Sequence, residues 1–427
     1  MKSLLSADRV RFIINRIQER LWVRPLFLCL LSIGAVFLAE YADGTSLAQY
    51  APELAPESLD ALLTVMASSM LVIATFSVGS MVSAYASASN TATPRSFSVV
   101  VADDASQNAL STFVGAFIYS IVALTALNND YFETAGLFVL FVLTGFVFGS
   151  VIITFVRWVD RIARLGRMGS TIEKVEKASA KALRRRRDAP TLRGLPIRTK
   201  REDAKAVYSD TVGYVQQIDM DDLESWAQEN EAKIVVNALP GTFVTPDLAI
   251  AYVATSGKAK SDEDFHCVKD SFQIGRDRLF DDDPRFGLVV LSEIAARALS
   301  PAVNDHGTAI DIIGTVVRLL VQWQQPAQES ENSAKQCSRI EVPEISASDL
   351  FDDAFTAIAR DGAGVIEVSV RLQKALHSLA LLGDDDMREA AQRHSRLALK
   401  RAEKALALPE DFELAQAAGK FAQDQRS

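Results

Sequence analysis

Thr134–Val156 reads TAGLFVLFVLTGFVFGSVIITFV, with no Asp, Glu, Lys or Arg. A helix of about 20 mostly apolar residues crosses the hydrocarbon of a bilayer. Its backbone groups are satisfied within the helix, so lipid tolerates it. Working outward, three more charge-free stretches precede it: Pro25–Ala39, Ala61–Pro94 and Ala105–Asn129. The first is short, but its helix reaches the interface at Glu40 and ends near Ala42. The second, at 34 residues, would run about 51 Å against a core of about 30 Å. Its helix is expected to continue past the inner leaflet. Four such stretches in succession predict a four-span membrane domain over residues 25–160. The charged run before the first stretch is too long for a cleaved leader, and no A-x-A site follows, so an uncleaved anchor is expected.

Charge is divided unevenly. Residues 1–199 carry a balance of +5 and residues 200–427 a balance of −14, within a net −9. An acidic tail of this kind argues against nucleic-acid binding. Lys2, Arg9, Arg11, Arg16, Arg20 and Arg24 precede the first stretch, and Arg157, Arg161, Arg164 and Arg167 flank the end of the fourth. The loops Asp43–Asp60 and Asn128–Glu133 hold acids and no base. The excess of bases on one side places both termini in the cytoplasm. Cys29, Cys267 and Cys337 form no CxxC pair, which fits a reducing compartment and neither a disulfide framework nor a zinc site.

Within residues 1–24, Val10, Ile13, Ile14, Ile17 and Leu21 recur at helical spacing. This suits an amphipathic helix lying on the inner leaflet, or one packed on the protein's own soluble part. Residues 161–200 read as a basic helix and linker, with Ile162, Leu165, Ile172 and Val175 at roughly helical spacing. The helix ends in Arg184, Arg185, Arg186 and Arg187. Those four cations suit lipid headgroups, or equally a solvated helix end where cations answer the dipole. Pro190, Gly194 and Pro196 mark the linker.

Residues 201–255 read as a small β-rich lobe. Tyr208–Ile218, Lys233–Ala238, Thr242–Thr245 and Leu248–Val253 have strand character, Asp221–Glu229 is helical, and Pro240-Gly241 makes a turn. The order resembles the barrel-sandwich fold of biotinyl and lipoyl domains, but no lysine sits in a suitable hairpin, so no swinging cofactor is expected. Residues 256–427 read as helical. Asp283-Pro284 opens one helix, with Phe286, Val289, Val290, Ile294 and Ala298 on its buried face, and Ser300-Pro301 closes it. Asn304-Asp305 caps the next, in which Ile310, Ile313, Val317 and Leu320 face inward. Gln324–Pro343 reads as a polar surface loop. The fold class is therefore an α-helical membrane domain joined to a cytoplasmic α+β domain.

Four separated motifs carry a resemblance: SASNTATPR (Ser87–Arg95), DDASQNALSTFVGAF (Asp103–Phe117), IGRDRLFDDDPRFG (Ile274–Gly287) and RALSPAVNDHGTA (Arg297–Ala309). Together they resemble the bacterial "predicted membrane protein" family known as a numbered domain of unknown function (twenty-two fifty-four), over nearly the whole chain. His306-Gly307 departs from the proline-containing turn expected in relatives. The resemblance implies an integral membrane protein with a soluble C-terminal half, and the expected location is the bacterial inner membrane. It implies no established reaction, substrate or catalytic residue.

The densest polar cluster is Arg276, Asp277, Arg278, Asp281, Asp282, Asp283 and Arg285. Three successive carboxylates suit a hard cation, but the spacing matches no calcium loop and the arginines compete, so a cap with ion pairs is favoured. His266, His306, His377 and His394 are not at metal-ligand spacing. His306 beside Asp305 suits a general base or, more simply, a polar turn. There is no phosphate loop, nucleophile elbow or H-E-x-x-H motif, so no catalytic residue, metal or cofactor is assigned. The second span is rich in small hydroxyl residues. They suit tight helix packing or the wall of a hydrated path, with Ser69, Phe76, Ser80, Ser83 and Ser87 along one stripe and Ser68, Thr75, Gly79 and Ala86 beside it. Phe76 would be an apolar constriction, and Asp103 and Asp104 a mouth favouring cations. Three functions follow: a homo-oligomeric channel or conduit with a cytoplasmic regulatory domain, a membrane-anchored sensor or scaffold, or, least favoured, a membrane-bound enzyme.

Overall fold

The computed structural model describes residues 22–44, 51–52, 54–96, 99, 104–162, 167–198, 204–255, 265–327 and 336–422. The interfacial helix expected before Trp22 and the expected pore-mouth residue Asp103 lie outside them. The chain divides into two compact units, one ending at Thr171 and one beginning at Ile172.

The first unit consists of α1 (Val23–Ala42), α2 (Pro56–Thr91), α3 (Asp104–Leu127) and α4 (Thr134–Ile162). All four are long and apolar enough to cross a membrane. Helix α3 is central and packs on the other three. Its Phe113, Ala116, Tyr119 and Ala123 are buried against Leu63 and Met70 of α2 and Leu140 and Val151 of α4. Polar groups turn inward: the Tyr119 hydroxyl lies 2.9 Å from Thr144 Oγ1. Large apolar side chains such as Phe27, Leu30, Phe146 and Ile153 turn outward and are exposed. That inversion suits a lipid surround, where burying apolar groups gains little. Asp43 caps α4 by accepting the Glu133 and Gly136 amides.

The second unit opens on α5 (Met168–Asp188), which belongs to it from Ile172 onward. Its buried residues Ile172, Val175, Ser179, Ala182, Leu183 and Arg186 follow one helical stripe. The lobe then contains β1 (Lys205–Tyr208), β2 (Gly213–Ile218), α6 (Met220–Glu229), β3 (Ala232–Val236), β4 (Phe243–Val244), β5 (Ala249–Thr255), α7 (His266–Asp270) and β6 (Phe272–Gly275). With β7 (Ile340–Glu341) from further along the chain, one sheet has the order β1-β5-β3-β7 and the other β4-β2-β6. Leu223, Trp226 and Ala227 of α6 join Val215, Ile234, Val236 and Ile250 in one core.

Two expectations for this region need correction. The lobe departs from a barrel-sandwich, because β3 pairs in parallel with β7 (Ile340–Glu341). The stretch Gln324–Pro343 is also not all surface loop: Cys337, Ile340, Glu341 and Val342 are buried. The linker is drawn in beside β7, where the Leu195 amide donates to the Ile340 carbonyl at 2.7 Å. Gly194 allows this approach, since a Cβ there would stand 2.7 Å from the same carbonyl oxygen.

The rest is helical: α8 (Phe286–Ala298), α9 (His306–Trp323), α10 (Ala347–Asp361), α11 (Ile366–Leu382), α12 (Asp385–Ala405) and α13 (Pro409–Ala418). Helix α8 is buried on nearly every side, including Leu288 and Leu291 beyond the expected face. Asp305 caps α9 as expected, accepting the Thr308 amide at 3.0 Å. The inward residues of α9 are Ile312, Ile313, Val316, Leu319 and Leu320, with Ile310 and Val317 half-buried at the edge.

Candidate functional site

Four consecutive residues of an α-helix span about 300° of its circumference. The arginines ending α5 therefore cannot share one face. Arg184 is exposed. Arg185 bonds the Asp282 carboxylate and donates to the Asp281 carbonyl at 3.0 Å. Arg187 pairs with Asp188 at 2.9 Å and donates to the Gln322 carbonyl at 3.1 Å. Arg186, on the apolar stripe, is 3% exposed. Its Nε, Nη1 and Nη2 have no hydrogen-bond partner. Of the four, Arg184 alone remains open for a lipid headgroup.

Arg186 borders a cavity of about 160 Å³ within the second unit. The wall comprises Ala182, Arg185 and Ala189 of α5, Leu192 and Arg193 of the following turn, Gln217, Ile218 and Met220 at the β2–α6 junction, Pro240, and the Asp281–Asp282 loop. Leu192 and Arg193 adopt φ of 51° and 71°, the left-handed conformation that folds the chain back from α5. Arg193 meets Asp221 at 3.2 Å.

The three successive aspartates diverge. Asp282 holds Arg185. Asp283, 2% exposed, accepts Arg278 Nε at 2.6 Å and the Arg285 and Phe286 amides at 3.1 and 3.2 Å. It is thus the expected cap of α8 and also an ion-pair partner. Gly241, at φ 94°, leaves room for it. Burial pushes the Asp281 and Asp283 carboxyls up. Burial also draws the Arg186 guanidinium down, to about 10, against the pull of Asp282 and Asp283. Arg186 remains a cation at neutral pH. Among the described residues no three His, Cys, Asp or Glu side chains cluster to hold a metal ion.

The other sequence candidates lie elsewhere. His306, the first residue of α9, has Nε2 2.9 Å from Asn304 Oδ1 in the preceding turn. On α2, Phe76, Ser83 and Ser87 are exposed and Ser69 and Ser80 half-buried, while Ser68, Thr75, Gly79 and Ala86 are exposed too. The Ser68 and Thr75 hydroxyls donate to carbonyls of their own helix. Phe76 stands edge-on to Trp158 at 6.0 Å. The packed stripe is instead Leu63, Met66, Met70, Ala74, Ser77, Met81 and Tyr85. Asp104 opens α3.

Two features escaped the sequence reading. Arg186 lies seven residues after Ser179 and three after Leu183, so extending the stripe from Ile172 would have flagged it. His394 lies likewise on a buried stripe with Met387, Ala391, Ala398 and Ala402. It meets Asp352 Oδ1 at 3.0 Å beside Phe351 and Phe355.

The family model described as "Predicted membrane protein (DUF2254)" matches residues 18–378. The chain belongs to this family. It is also 33% identical over 115 residues to uncharacterized proteins from two strains of Mycobacterium tuberculosis and from Mycobacterium bovis. That match covers 26% of this chain and 22% of each relative, so the chain spans about a fifth of the length of the curated relatives it matches. No solved structure matches. For this DUF2254 member, the family match embraces both the four apolar helices and the cavity at Arg186.

Proposed function

We propose that the chain is a membrane-anchored sensor or scaffold of the bacterial inner membrane, with both termini cytoplasmic and a ligand-binding second unit. One observation carries this reading: Arg186, a buried cation without a hydrogen-bond partner, borders a recess of about 160 Å³, large enough for a small molecule. Burying an unpaired charge costs several kcal/mol, and a bound counter-charge offsets that cost. The unit also follows the last apolar helix in sequence, α5 beginning at Met168 after α4 ends at Ile162. The test is a thermal-shift screen of the full-length protein in nanodiscs against small metabolites. Saturable stabilisation lost on substituting Arg186 supports the reading; a screen with no Arg186-dependent hit sinks it.

A second reading, the homo-oligomeric conduit, is favoured by α2. Ser68, Thr75, Ser83 and Ser87 are exposed on it, although Ser77 is buried, so the exposed side can meet lipid or another copy. Here Phe76 would be the constriction, with Asp103 and Asp104 at the mouth. Planar-bilayer recordings of wild type and Phe76→Ser decide it: larger currents in the variant support a conduit, and electrical silence in both removes it.

A further inference from the structure

The charges around the cavity define which ligand it takes, given the reading of the second unit as ligand-binding. Arg185 is answered by Asp282, Arg193 by Asp221 and Arg278 by Asp283. One cation, Arg186, is left buried with all three guanidinium nitrogens lacking a hydrogen-bond acceptor. A buried polar group in that condition calls for an acceptor. Helix α6 also opens on the cavity at Met220, but Asp219 already caps that helix by accepting the Asp222 amide. Its dipole therefore adds little, and the attraction comes from Arg186.

Asp281 and Asp282 stand on the same wall. They oppose a second negative charge, which disfavours a dianion such as phosphate or sulfate. A guanidinium fork and a carboxylate match in plane and spacing, and the pair bonds through two parallel N–H donors. Apart from the buried amide of Gln217, the remaining wall is apolar, formed by Ala182, Ala189, Leu192, Ile218, Met220 and Pro240. At about 10–15 Å³ for each water-sized site, the volume of about 160 Å³ admits a molecule of roughly ten heavy atoms. We propose that this cavity binds a small organic monocarboxylate, its carboxylate on Arg186 and its hydrocarbon part along Leu192, Ile218 and Met220.

The test uses the full-length protein in phosphatidylcholine nanodiscs at constant ionic strength. Binding is measured by titration calorimetry with hexanoate, hexanamide, inorganic phosphate and sulfate. The expected result is saturable binding of one hexanoate per chain, at least tenfold weaker binding of hexanamide and of both dianions, and at least tenfold loss in Arg186→Met. Arg184→Gln should bind as wild type. Arg186→Met should also unfold at a higher temperature than wild type when no acid is present, which shows that it folds. Arg186-dependent binding of phosphate or sulfate in preference to hexanoate would overturn the monocarboxylate and leave the ligand-binding unit standing. Arg186-dependent competition by phosphatidylglycerol nanodiscs alone would overturn it in favour of a headgroup phosphodiester. Absence of Arg186-dependent binding for every probe would overturn both the monocarboxylate and the ligand-binding unit.

Discussion

Asp283 and Arg186 are both buried charges, and they differ in what answers them. Asp283 receives a guanidinium and two amides. Losing a cap alone costs about 0.5–2 kcal/mol. Here the substitution also strands Arg278, which is 18% exposed, and breaking a buried pair costs about 3–5 kcal/mol. Asp283→Ala is therefore expected to lower stability by more than cap loss alone, read by thermal unfolding, with metal content unchanged. A loss below about 1 kcal/mol would show the pair to be idle. His394 offers a second residue-scale prediction. Burial, then Arg393, draws its imidazole down to about 4, while Asp352 pulls the other way and Arg401 adds to the fall. The folded protein thus holds the ring neutral where the unfolded chain, near 6.5, protonates it. Stability is full above about pH 6.5 and falls as pH drops towards 4, by on the order of 3 kcal/mol. His394→Gln should flatten this slope in unfolding measured at pH 7 and pH 4.5. An unchanged slope would assign the acid sensitivity to other groups. The type of these residues was plain in the sequence. Their burial was not, because a charged residue on an apolar stripe is ordinarily read as solvated.

Among the elements, α5 and α8 meet where Gly287 faces Ser179. A Cβ on Gly287 would overlap the Ser179 side chain. Overpacking of this kind costs about 1–3 kcal/mol. Gly287→Ala is expected to lower the unfolding temperature, and adding Ser179→Gly to recover much of the loss. A double variant no better than the single would show that the contact is not the cause. The periodic elements were legible: the strands around Val215, Val235 and Tyr252, helix α6, and the caps at Asp283 and Asp305 all lie close to where turn chemistry and spacing put them. Strand β7 was not. With only two residues, it has no period of its own. It is a strand because β3 and the linker at Leu195 supply partners on either side.

For the whole molecule, the basic flanks and the acidic loops without bases predict a topology with both termini inside. In a background with Cys29, Cys267 and Cys337 replaced, a cysteine at Ser46 should label with an impermeant maleimide in spheroplasts, and one at Ser346 should label only after lysis. The reverse pattern would invert the protein in the membrane. What the sequence determined by itself is the presence of four apolar helices, the change to an acidic α+β unit, and the family. These rest on runs of residue types long enough to outweigh local exceptions. Only the tertiary structure decided which of four adjacent arginines is buried, that Asp282 and Asp283 hold different arginines, and that Ser68, Thr75, Ser83 and Ser87 of α2 are exposed while Ser77 is buried. Each depends on what stands opposite a side chain, and residues from α5, the β2–α6 junction and the Asp281–Asp282 loop, up to about a hundred positions apart, meet only when the chain has folded.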